Sequence, residues 1–278
     1  MTAVASVAAS RLYKPAVALE FFKHGGKPER IPSGETIFAE GKKGLLFRDK
    51  MYLLISGEVE LLIRKKPIAT LRAGEIFGEL AAIDGDPRTA SAVAKTACKL
   101  IGLDEKQFYA ALRKKPAFAL MLMSVMISRL RETITRMLAN GDMSEKEATK
   151  ESVTFKPKLL AELVQGLADD PPVFFLQGKQ IMQAGQTGLR MYAIVEGKVT
   201  VTIGGRVVER LGPGGVFGEA ALVDQSTRLA SAVAETDCSL LAISRQAFMA
   251  LVKVSPEFAD AMLGSLAERM RFLAGRSQ

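Results

Sequence analysis

The sequence predicts an α+β protein built from two tandem antiparallel β-barrel domains, each flanked by short N-terminal helices and a long C-terminal helix. Three observations carry that expectation. A segment reading FGELAAIDGDPRTASAVA from Phe77 returns as FGEAALVDQSTRLASAVA from Phe217. The offset of 140 residues holds for Gly78/Gly218, Glu79/Glu219, Arg88/Arg228 and Ser91/Ser231 and extends to Cys98/Cys238 and Pro116/Pro256, so the chain is a tandem duplication. Short alternating or apolar runs precede each copy of the segment, and helical apolar patterns follow it.

Length and composition agree with two globular units. At roughly 100 to 200 residues per domain, 278 residues hold about two, and 48% apolar with 24% charged residues describes an ordinary folded protein. The net charge of +8 is compatible with a nucleic acid, a membrane surface or a small anion. Because the basic residues are scattered (Lys42-Lys43, Arg64-Lys65-Lys66, Arg113-Lys114-Lys115, Arg269 and Arg271), solvated faces and a small anionic ligand are favoured over a nucleic-acid groove. Cys98 and Cys238 lie in equivalent apolar runs, which predicts two buried thiols, no disulfide and a reducing, cytoplasmic setting. The N-terminal MTAVASVAAS lacks the basic start and long apolar core of a signal peptide. No apolar run approaches the roughly 20 residues that a bilayer demands, so no membrane partner is expected.

In chain order, residues 1–20 are a lead-in, and the apolar residues between Leu12 and Lys23 predict a short helix stopped by Gly25-Gly26. Strands are expected after Pro32, in ETIFAEG, MYLLISGEVELLI, IATLRAGEIFGEL, TASAVA and CKLIGLD, at a spacing that fits an antiparallel barrel or sandwich. Gly57 to Gly74 and Gly197 to Gly214 are equally spaced, so the two sheets share a register. Upstream, Gly34/Gly178 and Gly41/Gly185 match only at an offset of 144, which places about four extra residues of the first copy in a surface loop. Gln107–Arg113 and Gln246–Lys253 predict short helices broken before Pro116 and Pro256.

From Ala117 to Asn140 the residues Met123, Ile127, Leu130, Ile134 and Met137 form a heptad seam. Leu263, Leu266, Met270 and Leu273 form a shorter one in the second copy. These helices are candidate elements of a homodimer or of an intramolecular pseudo-dimer. The first domain is therefore expected over 21–140 and a polar linker over 141–158. The second is expected over 159–278, opening with a helix over Leu159–Leu167 and returning to strand after Pro171-Pro172.

The repeated segment has a definite chemical capacity. Gly-Glu followed by Leu80-Ala81 or Ala220-Ala221 reads as a strand-end turn opening a short helix, whose first N–H groups are unpaired and attract anions. Arg88 or Arg228, nine residues beyond the Glu, can fold back over that opening and bind a phosphate with its planar fork of donors. Glu79 or Glu219 can accept a hydrogen bond from a sugar hydroxyl. Together these groups describe a pocket for a cyclic nucleotide. The same residues can also be read as an internal Glu–Arg ion pair beside a glycine turn, with no ligand.

At this point the segment resembles the phosphate-binding cassette of cyclic-nucleotide-binding domains: FGE, a small apolar helix, then PRxA. The resemblance extends over both repeats and implies jelly-roll-like barrels and a cyclic AMP or cyclic GMP ligand, with no other cofactor and no metal. It implies one site formed by Phe77, Gly78, Glu79, Leu80, Ala81, Arg88, Thr89 and Ala90, and a second formed by Phe217, Gly218, Glu219, Ala220, Ala221, Arg228, Leu229 and Ala230. Glu79 and Glu219 would read the ribose 2′-hydroxyl, and Arg88 and Arg228 would hold the cyclic phosphate. Family members cap the base from the helix after the barrel, where Thr133 and Leu273 are the candidates by position and Arg136 a weaker one. The copies differ: Thr89 offers a hydroxyl able to touch the phosphate or the guanine amino group, whereas Leu229 offers none and Thr227 stands where the first copy has Pro87. The first site is thus expected to accept cyclic GMP as well as cyclic AMP, and the second to be the more apolar.

Three functions compete on this reading. A non-catalytic receptor signals through a protein partner by movement of its C-terminal helices. A transcription regulator of the catabolite-activator type would need a helix-turn-helix, for which the pattern leaves no room after either barrel, so nucleic-acid binding is disfavoured and would have to use the scattered basic surface without a recognisable helix-turn-helix. A regulatory subunit of a cyclic-AMP-dependent kinase would need an arginine-rich inhibitory segment; about 30 residues precede the first expected strand, with no Arg-Arg pair. Catalysis is not expected, because His24 is the single histidine and reads as a helix-surface residue, and no nucleophile–base pair is legible.

Overall fold

The structure, a computed structural model, describes residues 10, 12–42, 49–140, 153–168 and 170–276. Residues 43–48, within the stretch expected to hold the extra residues of the first copy, and most of the expected linker (141–152) lie outside the described residues.

The first repeat runs α1 (Pro15–Lys23), β1 (Lys27–Ile31), β2 (Thr36–Phe38), β3 (Lys50–Ser56), β4 (Val59–Ile63), β5 (Lys66–Leu71), β6 (Ile76–Phe77), α2 (Glu79–Asp84), β7 (Ser91–Ala94), β8 (Cys98–Asp104), α3 (Glu105–Lys114) and α4 (Ala117–Asn140). The second repeats that order as α5 (Pro157–Gly166), β9 (Val173–Phe175), β10 (Gln180–Met182), β11 (Arg190–Glu196), β12 (Val199–Ile203), β13 (Arg206–Leu211), β14 (Val216–Phe217), α6 (Glu219–Asp224), β15 (Ser231–Ala234), β16 (Cys238–Ser244), α7 (Arg245–Val254) and α8 (Pro256–Arg276).

Each repeat resolves into two four-stranded antiparallel sheets, the jelly-roll form of the expected barrel. In the first they are ordered β1-β8-β3-β6 and β2-β7-β4-β5; in the second, β9-β16-β11-β14 and β10-β15-β12-β13. The core lies between the two sheets. Tyr52, Leu54, Phe77 and Leu100 from one pack with Val59, Leu71, Ala92 and Ala94 from the other, as alternation along half-buried strands requires.

Several boundaries differ from expectation for local physical reasons. A strand, β1, precedes Pro32; it reads KPERI without apolar alternation because it is an edge strand, paired only with β8, where polar side chains and Pro28 are tolerated. Helix α1 starts at Pro15 rather than Leu12, since proline is pre-set for the first helical turn. Helix α3 starts at Glu105 rather than Gln107. Its N-terminus is fixed by a capping box in which Asp104 accepts from the Gln107 amide at 2.8 Å and the Gln107 side chain accepts from the Asp104 amide at 2.9 Å. Pro157 and Lys158, expected in the linker, are the first residues of α5.

The helical seam is buried along its length at Met123, Ile127, Leu130, Ile134 and Met137. Against the first barrel, Phe118 of α4 stacks on Phe21 of α1 with ring centroids 3.5 Å apart, and Phe108 meets Phe21 edge-on. In the second repeat Phe258 packs with Phe248 and with Phe155, which precedes α5. The two thiols are buried and unpaired, and burial pushes the Cys98 thiol up from its ordinary pKa. His24 lies exposed at the end of α1 with Nδ1 3.2 Å from the Glu20 carbonyl. The chain divides into two compact units, residues 1–132 with 267–275 and residues 133–266 with 276–278. Among the described residues no helix is long and apolar enough to cross a membrane.

Candidate functional site

In each repeat a two-residue strand ends at a glycine that reverses the chain into a six-residue helix. Gly78 and Gly218 take φ of 74° and 85°, the left-handed region that side chains resist. Neither caps its helix with a side chain, so the first-turn N–H groups of α2 and α6 have no intrahelical acceptor. Sterics demand glycine a second time: a Cβ on Gly78 would lie 2.8 Å from Nη1 of Arg88, and one on Gly218 would lie 2.6 Å from Nη1 of Arg228.

The arginines return to these turns as the spacing predicts. Arg88 is 6% exposed, and its Nη1 donates to the Gly78 carbonyl at 2.9 Å and its Nη2 to the Lys50 carbonyl at 2.8 Å. Its Nε is 3.0 Å from Asp49 Oδ1, near enough for an ion pair but not aligned as a hydrogen bond. The guanidinium lies 4.1 Å from the centroid of the Phe38 ring. Arg228, 8% exposed, makes the equivalent bonds to Gly218 at 2.6 Å and to Arg190 at 2.5 Å. Burial lowers the pKa of both arginines. Asp49 leads the groups pulling Arg88 back up, and Tyr192 and Glu219 do the same for Arg228. Backbone bonds pin each loop: Gly41 donates to the Arg88 carbonyl at 2.9 Å, and Gly185 to that of Arg228 at 2.9 Å.

The glutamates are equally enclosed, Glu79 at 3% and Glu219 at 5% exposure. Glu79 does not pair with Arg88. It accepts from Nη1 of Arg129 on α4 at 2.5 Å, and Nη2 of the same guanidinium donates to the Ile76 carbonyl at 2.6 Å. The internal Glu79–Arg88 pair that the spacing also allowed is therefore not formed; each residue has a different partner.

The glycine turn with its returning arginine occurs twice, within segments that match the cyclic nucleotide-binding domain over residues 28–115 and 172–255. The chain belongs to the cyclic nucleotide-binding domain family. It is 27% identical over 254 residues to a cGMP-dependent protein kinase of Toxoplasma gondii, an alignment that spans 90% of this chain and 21% of that protein. Among solved structures it is similar to the regulatory domain of Toxoplasma gondii PKA with cAMP, at 22% identity, a TM-score of 0.30 and coverage of 84% and 85% of the two chains. The Thermus thermophilus catabolite activator protein is similar at 24% identity, a TM-score of 0.41 and coverage of 59% and 72%.

Within these two domains the residues singled out by sequence gather at the two turns. Phe77 and Phe217 are core residues stacked on Tyr52 and Tyr192, each at 5.3 Å, and so fix the strand end before the glycine. Leu80, Thr89, Ala90 and Leu229 are half-buried, while Ala81, Ala220, Ala221 and Ala230 are buried. The candidates for capping the base are divided between the two units. Half-buried Thr133 groups with the second compact unit, buried Leu273 with the first, and Arg136 is exposed.

Four side chains at the first cassette were not anticipated. Phe38 and Asp49 lie on either side of the unmatched loop, where the repeat offset changes. Arg129 is one basic residue among several on a long helix, and helical periodicity names its face but not its partner. Arg271, within the first compact unit, holds the cassette loop through Nε and Nη2 to the Asp84 carboxylate at 2.5 and 2.7 Å and Nη1 to the Pro87 carbonyl at 2.5 Å.

Proposed function

We propose that each repeat binds one cyclic nucleotide and that the protein is a non-catalytic two-site receptor that signals through its C-terminal helices to a protein partner. The observation that carries this reading is the buried arginine of each repeat, held by backbone carbonyls beside an uncapped helix start. A buried cation beside unpaired N–H groups is matched by a small anion. In this reading Arg88 and Arg228 hold the cyclic phosphate, the amides of Gly78 to Ala81 and Gly218 to Ala221 complete its cradle, and Glu79 and Glu219 accept from the ribose 2′-hydroxyl. Thr89 admits cyclic GMP as well as cyclic AMP at the first site; Leu229, with no hydroxyl, makes the second site adenine-tolerant.

Arg129 gives the first cassette a mechanical link to α4, because the glutamate that meets the sugar is the one this helix holds. A ligand that rearranges Glu79 changes the Arg129 contact and thereby the position of the helix. The shift can be no larger than the ligand's differential affinity for the two arrangements. A kinase partner agrees with the names of the relatives, and an exposed face of the moving helices is where such a partner would sense occupancy.

Titration calorimetry with cyclic AMP and cyclic GMP tests the assignment. Two sites per chain are expected, falling to one in Arg88→Leu or Arg228→Leu. Absence of heat with either nucleotide, or unchanged binding in the double variant, removes the reading.

A further inference from the structure

The two cassettes hold their arginines with the same two carbonyl bonds but not with the same charge. In both, Nη2 donates to the first residue of the long central strand, Lys50 of β3 or Arg190 of β11. The residue just before that strand is Asp49 in the first copy and Leu189 in the second. The Asp49 carboxylate sits 3.0 Å from Nε of Arg88, with side-chain exposures of only 12% and 5% for the pair. Leu189 is 76% exposed, and Gly188 beside it packs so closely that a Cβ there would come within 2.5 Å of Cζ of Arg228. Among the described residues Arg228 donates only to the Gly218 and Arg190 carbonyls, and no carboxylate reaches ion-pair distance of it.

We propose that the two sites are graded as anion receptors: Asp49 partly neutralises Arg88 and weakens phosphate binding at the first site, while Leu189 leaves Arg228 uncompensated and makes the second site the tighter. The proposal rests on the cyclic-nucleotide reading and adds the determinant of relative affinity. An incoming phosphate at the first site shares one guanidinium with a carboxylate already in place, and the two anions repel across a few ångströms of poorly screened interior. At the second site the phosphate is the guanidinium's first anionic partner. Glu79 and Glu219 are common to both sites, so they do not distinguish them.

The test uses the full chain, with Arg228→Leu isolating the first site and Arg88→Leu the second. Cyclic AMP is titrated alongside a neutral phosphotriester of the same nucleotide. The second site is expected to bind cyclic AMP more tightly. Asp49→Leu and Asp49→Asn should each tighten the first site by about tenfold, and Leu189→Asp should weaken the second by about as much, the low end of measured couplings for close charge pairs. The neutral ester should respond by less than about twofold, because only a charge effect distinguishes the ligands. Weaker binding in both Asp49 variants, which would make Asp49 an orienting group, overturns the proposal; so does an unchanged second site in Leu189→Asp. Failure of the parent chain to bind cyclic AMP would instead remove the cyclic-nucleotide reading itself.

Discussion

Replacing Arg129 by Met should be among the more damaging single changes at the first cassette, through what it leaves behind. Methionine keeps the aliphatic stem but removes both donors, and Glu79, with 4% side-chain exposure, loses the guanidinium that satisfies Oε1. Breaking a buried pair from one side costs about 3–5 kcal/mol. Arg129 is itself 18% exposed, so water can reach part of the vacated space, and about 2–3 kcal/mol is the reasoned figure. Adding Glu79→Gln removes the stranded charge and should recover most of the loss, leaving about 1 kcal/mol for the missing hydrogen bonds. Urea unfolding followed by tyrosine fluorescence is suited to this measurement, because Tyr13, Tyr52 and Tyr109 lie in the first repeat and only Tyr192 in the second. A shift in midpoint at constant slope is expected. If Arg129→Met cost less than about 1 kcal/mol, or the double variant were as unstable as the single, the Glu79–Arg129 link would not have the role assigned to it.

Two further outcomes follow from the same geometry. Gly78→Ala should combine a backbone penalty of about 1–2 kcal/mol with displacement of Arg88 and so weaken cyclic AMP at the first site. Gly85→Ala, at φ 69° with open space around it, should incur a similar backbone penalty and leave affinity unchanged; equal loss of affinity in both, by calorimetry in the Arg228→Leu background, would refute the steric argument. Burial, the largest cause, pushes the Tyr52 phenol up to about 12, above the ordinary value of about 10. The fold favours the neutral phenol, so the stability it contributes is fully present below about pH 10 and is lost as pH rises towards 12. Thermal melts between about pH 9 and about pH 11 should show this decline, and Tyr52→Phe should reduce it, leaving the part that comes from Tyr13, whose phenol burial also raises.

The cassettes were legible because a duplication marks its own fixed points. Gly78, Glu79 and Arg88 recur at one offset, and each residue type has a narrow physical use: left-handed backbone, a carboxylate, a planar cation. An antiparallel barrel or sandwich was legible from alternation and equal glycine spacing, its jelly-roll form only through the family resemblance, and the long helices from their heptad seams. What escaped depends on contacts between segments distant in sequence. Glu79 and Arg129 are 50 residues apart, and only the packing of α4 against the barrel makes them partners. β1 escaped because an edge strand exposes too much surface to need an apolar pattern. The start of α3, by contrast, was written in the sequence as Asp104 and Gln107, a capping box that periodicity alone does not detect.

The unequal surroundings of the two arginines give the duplication a use that two identical sites would lack. Phe38 and Asp49 place an aromatic face and a carboxylate against Arg88, whereas Met182 lies beside the Gly218 turn and Leu189 leaves Arg228 its full charge. The carbonyl bonds that aim the guanidinium are the same in both, so aim and strength are set by different residues and can vary separately. A gap of about tenfold between the sites corresponds to about 1.4 kcal/mol, small beside the charge effects available at a poorly hydrated ion pair. It is enough that, midway between the two dissociation constants, the second cassette is about three-quarters filled and the first about one-quarter. Because Arg129 ties α4 to the first cassette, filling that weaker site is the event expected to move this helix. The receptor would then distinguish a moderate nucleotide concentration from a high one by which cassette is occupied, with Asp49 setting the separation between the two thresholds.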